Sequence, residues 1–207
     1  MIIVKSTNLK RAFNALVEEI MHDEHGSADS EMWREAVLSM EVAGGDHADY
    51  GIDYDGVHFK VRDDFRSENS LFLDELVEHY ENLLVNGERV AWVIDYLQQN
   101  SFSKRAIINF WKAKHTDLSK KCPCVVYFLF RKSLSGLNMS VHMRSNDVNR
   151  KTLLNLIMFN AVHRYIATQL NESVGTYYHF VDTAVVLEQD KEKLLALHQA
   201  IQHEYHN

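Results

Sequence analysis

Lys120-Lys121-Cys122-Pro123-Cys124-Val125-Val126-Tyr127-Phe128, answered twenty residues after Cys124 by Arg144-Ser145-Asn146-Asp147 and then by Asn155 inside an apolar run, is the stretch from which the rest of the chain is read. Pro123 is the one proline among 207 residues. Its ring fixes the backbone angle just before Cys124 and removes an amide donor there. Cys122 and Cys124 are the two cysteines of the chain. Separated by one residue, they suit free thiols better than a structural disulfide, and a zinc site would need two more ligands at recognisable spacing.

A thiol, a fixed cation and a carboxamide in this order point to chemistry when taken together. A cysteine sulfur attacks an electron-poor ring carbon once a nearby cation favours its thiolate, and Arg144 is the candidate cation. A guanidinium also grips a phosphate through two parallel bonds. Asn155 lies in Leu153-Leu154-Asn155-Leu156-Ile157-Met158. An unpartnered amide there costs on the order of 1–3 kcal/mol, so a partner is expected. Its adjoining donor and acceptor match the carbonyl and ring N–H of uracil. Singly, each residue has a plainer reading: an inert buried thiol, an ion-pair arginine, an amide bonded to nearby backbone. In combination they describe a grip on a pyrimidine nucleotide.

Composition narrows the classes. At 46% hydrophobic and 25% charged the chain is ordinary for a globular protein, and no stretch reaches the eighteen or so apolar residues of a membrane span. Met1-Ile2-Ile3-Val4-Lys5 lacks the basic start and cleavage site of a secretory signal, so a cytoplasmic protein without membrane contact is expected. A net charge of −7 argues against polymeric nucleic acid as partner but allows local phosphate binding. His22-Asp23-Glu24-His25 and Asp46-His47-Ala48-Asp49 read as charged loops, and Asp53-Tyr54-Asp55-Gly56 lacks the later ligands of a calcium loop, so no metal site is expected.

Working outward, residues 1–5 predict a strand, and Leu9, Phe13, Leu16, Val17 and Ile20 fall at helical spacing behind it. Residues 37–42 alternate like a strand, and 52–54 meet 57–61 across Asp55-Gly56, a hairpin turn pair. Two helices follow over 71–85 and about 90–97, separated by Asn86-Gly87. The apolar runs 106–111 and 125–130 predict strands covered on both faces. Residues 136–144 alternate cleanly, with Leu137, Met139, Val141 and Met143 facing a core and Asn138, Ser140, His142 and Arg144 facing solvent or a site. A helix over about 147–170, an extended stretch over 177–187 and a helix over about 191–205 complete the chain. Helices and strands mix without strict alternation, which predicts one α+β domain over 1–207 around a single sheet.

The run Asn100-Ser101-Phe102-Ser103-Lys104-Arg105-Ala106-Ile107-Ile108-Asn109-Phe110-Trp111, with Pro123-Cys124, Arg144-Ser145-Asn146-Asp147 and Asn155, resembles in order and spacing the core of thymidylate synthase and its hydroxymethylase relatives, over roughly residues 90–188. Residues 1–89 diverge and 189–207 form a terminal helix. The resemblance implies an α+β fold with a large bent mixed sheet flanked by helices, a homodimer joined through sheet faces, and one-carbon transfer from methylene-tetrahydrofolate to a pyrimidine nucleoside monophosphate. It also implies roles: Cys124 as nucleophile, Arg144 and Ser145 on the phosphate, Asn155 on the base, Asp147 and Trp111 on the folate. Lys104 and Arg105 would reach the phosphate of the partner subunit, with lysine where the family has a first arginine. Where the family carries a histidine and a tyrosine for the sugar, the chain has Asp182-Thr183-Ala184-Val185-Val186-Leu187. Glu88 and Glu41 stand as the candidates for the family's catalytic glutamate.

Overall fold

Period-two burial lays most of the strands into one sheet. The computed structural model describes residues 1–22, 26–46, 52–56, 58–84, 87–112 and 122–206. In chain order these form β1 (Ile2–Asn8), α1 (Leu9–His22), β2 (Met32–Asp46), β3 (Ile52–Asp55), β4 (His58–Val61), α2 (Asp63–Leu83), α3 (Glu88–Gln99), β5 (Ile107–Asn109), β6 (Val125–Ser133), β7 (Gly136–Met143), β8 (Asn146–Asp147), α4 (Leu153–Gln169), β9 (Val174–Leu187) and α5 (Lys191–His206). The seven-stranded sheet runs β1-β2-β9-β7-β6-β5, with short β8 also on β9. Its pairs are mixed: β1 with β2, β7 with β9 and β8 with β9 are parallel, and the others antiparallel. The fold is therefore α+β, a mixed sheet flanked by helices.

The helices cover one face. α1 buries Leu9, Phe13, Leu16, Val17 and Ile20, the positions its spacing singled out. α4 is buried continuously from Leu154 to His163 and packs against β7, β9, β3, α1 and α3, so it forms the middle of the core. A helix apolar on all sides is what such a central position requires.

Three expectations need correction. The helix foreseen from 147 begins at Leu153, because Val148–Thr152 form a wider turn with Asp147 accepting from the Arg150 amide at 2.9 Å. The strand foreseen over 37–42 extends over 32–46. β5 and β6 are covered on one face only: Ile107 is 43% exposed and Tyr127 and Leu129 are half-buried. An apolar run shows that a strand avoids water on average but does not say which side is covered. Of the loops read earlier, residues 23–25, 47–49, 57, 85, 86, 120 and 121 lie outside the described residues.

The open face is continuous. One cross-sheet row is Ile107, Leu129, Ser140, Tyr178, Glu41 and Lys5, and the next is Asn109, Tyr127, His142, Phe180, Ser39 and Ile3, each residue paired in register with its neighbour. His142 Nε2 lies 3.0 Å from Asp182 Oδ2 on this face. Exposed Ile3, Val37 and Phe180 add apolar surface.

The β6–β7 hairpin closes on Gly136, at φ 114°, where a Cβ would stand 2.1 Å from the Ser173 carbonyl oxygen. Both the backbone angle and the contact reject a side chain. Gly136→Ala is expected to lose about 1–3 kcal/mol in urea unfolding, whereas Gly26→Ala, whose new Cβ meets nothing nearer than 4.0 Å, should stay within about 0.5 kcal/mol of the parent.

Candidate active site

Cys124 leaves the sheet at the start of β6, where a register shift between Val125 and Tyr127 interrupts pairing with β7. A bulge of this kind re-aims the residues beside it. The Cys124 carbonyl still accepts from the Arg144 amide at 2.9 Å, which sets the end of β7 opposite the cysteine. The Pro123 carbonyl accepts twice, from Arg144 Nε at 3.2 Å and from Trp111 Nε1 at 3.1 Å. These bonds tie the guanidinium and the indole to the Pro123–Cys124 peptide.

The sulfur is half-buried at the edge of the core. Arg144 Nη2 stands 3.9 Å from Sγ and Ser145 Oγ 3.7 Å, while Arg144 Nη1 donates to Ser145 Oγ at 3.3 Å. The cation and the hydroxyl thus converge on the thiol. The guanidinium has more N–H groups than these three bonds use, so donors remain for an anion.

Asn155 is 1% exposed. Its Nδ2 donates to Asn146 Oδ1 at 2.9 Å and lies 4.0 Å from Met143 Sδ. Met143 pairs with Val125, so this amide pair sits one step inward from the cysteine. Asp147 is held at the turn before α4, with Arg150 Nε 3.9 Å from its Oδ2, and burial raises its carboxyl above the usual range. Arg150 in turn pairs with buried Asp190 at the start of α5.

The remaining candidates lie elsewhere. Lys104 and Arg105 are exposed on the loop between α3 and β5. Glu41 is on the open sheet face, 3.7 Å from Lys5. Glu88 begins α3 and, with Arg89, Trp92, Ile107, Ile108 and Asn109, lines a cleft of about 450 Å³. Ala184 and Val186 are wholly buried.

One neighbour of the cysteine was not foreseen. Tyr80 of α2 reads in sequence as one more apolar position in a helical stripe, yet burial first and Cys124 second hold its hydroxyl far above its ordinary pKa. Its ring packs edge-on to Phe159, which also meets Phe128 and His179. An aromatic floor therefore supports the site.

A family model described as thymidylate synthase matches residues 59–205. The chain belongs to the thymidylate synthase family. It is similar to the thymidylate synthase of Haloferax volcanii, 27% identical over 99 residues covering 48% of this chain and 29% of that protein. It is also similar to that of Bacillus atrophaeus, 28% identical over 100 residues covering 47% of this chain and 44% of the relative. The thymidylate synthase of Bacillus phage phi3T shows 28% identity over 100 residues, 47% and 36% of the two chains. The matched stretch spans less than half the length of each of these relatives. Among the described residues no helix is long and apolar enough to cross a membrane.

His179 in the aromatic floor gives a stability test. Its Nδ1 lies 2.9 Å from the Tyr177 hydroxyl, and burial lowers its pKa from 6.5 to about 3. The unfolded chain binds this proton first, so stability is complete above pH 6.5 and falls on acidification from 6.5 toward 3. The loss is about 1.4 kcal/mol per pH unit from this group. Denaturant titrations at pH 7 and pH 5 should show a shallower pH slope in His179→Gln, which can still accept from Tyr177 but does not titrate.

Proposed function

We propose that the chain transfers a one-carbon unit, methyl or hydroxymethyl, to the pyrimidine ring of a uridylate-type nucleotide through a covalent adduct on Cys124. The observation that carries this reading is the convergence of Arg144 and Ser145 on a half-buried sulfur. Addition of the sulfur to the ring carbon beside the acceptor carbon pushes an electron pair toward the ring carbonyl and makes the acceptor carbon nucleophilic. Once the one-carbon unit is bonded there, loss of the ring proton would expel the carrier's amine nitrogen and leave an exocyclic methylene on the ring; a hydride from the reduced carrier would make it methyl, or water would make it hydroxymethyl, and the sulfur would then depart with its electron pair. Arg144 and Ser145 hold the phosphate and Asn155 reads the base.

Methylene-tetrahydrofolate, the donor that family membership suggests, would supply the one-carbon unit. Asp147 fits such a ligand, since its carboxylate keeps lone pairs beyond the Arg150 amide bond and can accept from an N–H edge. Trp111 commits its N–H to Pro123 and offers the flat face of its ring. In this reading the protein works in the cytoplasm as a homodimer. The open sheet face meets a second copy, and Lys104 and Arg105 extend from their loop to the partner's phosphate.

A second reading has its own observation. The run Asp182–Leu187 carries neither the histidine nor the tyrosine of the family's sugar contacts, and its Ala184 and Val186 are buried hydrocarbon, which favours a nucleotide-binding or assembly protein without catalysis, or a changed sugar.

Incubation with fluorinated deoxyuridylate and methylene-tetrahydrofolate should give a covalent adduct visible by intact mass, absent in Cys124→Ala. Tight nucleotide binding with no adduct would select the non-catalytic reading. For the assembly, Phe180→Glu, on the open face, should shift sedimentation from dimer toward monomer, whereas Leu134→Glu, at the exposed β6–β7 turn, should not.

A further inference from the structure

The chain holds two thiols, and the chemistry proposed above employs one. Cys122 and Cys124 are its only cysteines, with Pro123 alone between them. Both are unbridged and half-buried, while Pro123 is buried. That alternation sets the two cysteines on the same, wetter side of the segment.

The surroundings single out one sulfur for attack. Arg144 Nη2 at 3.9 Å and Ser145 Oγ at 3.7 Å face Cys124 Sγ, and the guanidinium keeps N–H groups beyond its bonds within the protein. A partly exposed sulfur beside a cation is the setting in which a cysteine is oxidised, and a second cysteine within reach turns the first product into a bridge.

We propose that Cys122 and Cys124 form a reversible dithiol–disulfide pair, oxidised by a hydroperoxide, with Cys122 as the resolving thiol. The proposal rests on the paired sulfurs and their cation, and it stands or falls separately from the nucleotide reading. The Cys124 sulfur attacks the nearer peroxide oxygen, so that an S–O bond forms and the O–O bond breaks. The far oxygen leaves with the electron pair and takes up the thiol proton as water or an alcohol. The Cys122 sulfur then attacks the Cys124 sulfur, the S–S bond forms, and the S–O bond breaks to release hydroxide, which takes the Cys122 proton and leaves as water. Two thiols and one hydroperoxide thus give one disulfide, one alcohol or water, and one further water.

The backbone allows the closure with a modest bend. Cα atoms two residues apart are separated by at most about 7.6 Å, and a disulfide spans roughly 4.4–6.8 Å. Pro123 is the residue at which the segment has to bend. Its carbonyl accepts from Trp111 Nε1 at 3.1 Å and from Arg144 Nε at 3.2 Å, and the bend works against both bonds. The bridge is therefore of the labile, easily reduced kind. While it is closed, Cys124 has no sulfur to offer a ring, so oxidation also switches the proposed transfer off.

The test is mass spectrometry on the full, reduced chain after one equivalent of hydrogen peroxide, a denaturing quench with N-ethylmaleimide and tryptic digestion. The peptide of residues 122–131, released by cleavage after Lys121 and Arg131, should be unlabelled and lighter than its reduced form by about 2 Da, the loss of two hydrogens. Dithiothreitol should restore two labelled thiols. Cys122→Ser, checked for a cooperative melt, should instead give a sulfenic acid on Cys124 that dimedone traps, at a yield at least about tenfold above the parent's. A parent peptide that dimedone labels as fully as the variant overturns the proposal, as does a bridge found only between two chains. A parent that keeps both thiols after peroxide overturns it on the parent chain alone, whatever the variant does.

Discussion

The arrangement depends on the Pro123 carbonyl. It accepts from both the Arg144 guanidinium and the Trp111 indole, and these bonds tie down the peptide that leads to the sulfur. Proline at that position fixes its own φ, which removes one backbone freedom from the segment that carries this carbonyl. With the peptide held, the Arg144 amide reaches the Cys124 carbonyl and the side chain reaches the sulfur. The ends of β6 and β7 are thereby tied to each other and to Trp111.

Much of the fold was legible because amphipathic period and core geometry coincide. Alternation in β7 identified its inner residues as Leu137, Met139, Val141 and Met143, and the helical stripe of α1 was equally plain. The start of α4 was not legible: Asp147 looks like a helix opening, but the wider turn inserts Val148–Thr152 before regular geometry begins. Nor could hydrophobicity show that β5 and β6 keep a half-open face, because an apolar run carries no information about sidedness.

At the candidate site, the sequence singled out the thiol, the guanidinium and the buried amide by their combination, and Ser145 by family resemblance; the structure brings Arg144 and Ser145 to the sulfur. What spacing could not supply was partnership. That Trp111 serves the Pro123 carbonyl, that Tyr80 lies by the cysteine, and that Asn155 is bonded to Asn146 are products of tertiary folding between distant segments. Tyr80 is instructive, since a tyrosine in a helical stripe reads as packing until the neighbour of its hydroxyl is known.

The ionic contact between Arg150 and buried Asp190 joins the turn before α4 to the entry of α5. Lys193 adds a second cation to the same carboxylate at 3.1 Å. Because Arg150 also faces Asp147, the position of that acid is mechanically geared to the last helix: a shift at the terminal segment would be felt at the rim of the cysteine site as a change in orientation, without any residue of α5 having to enter it.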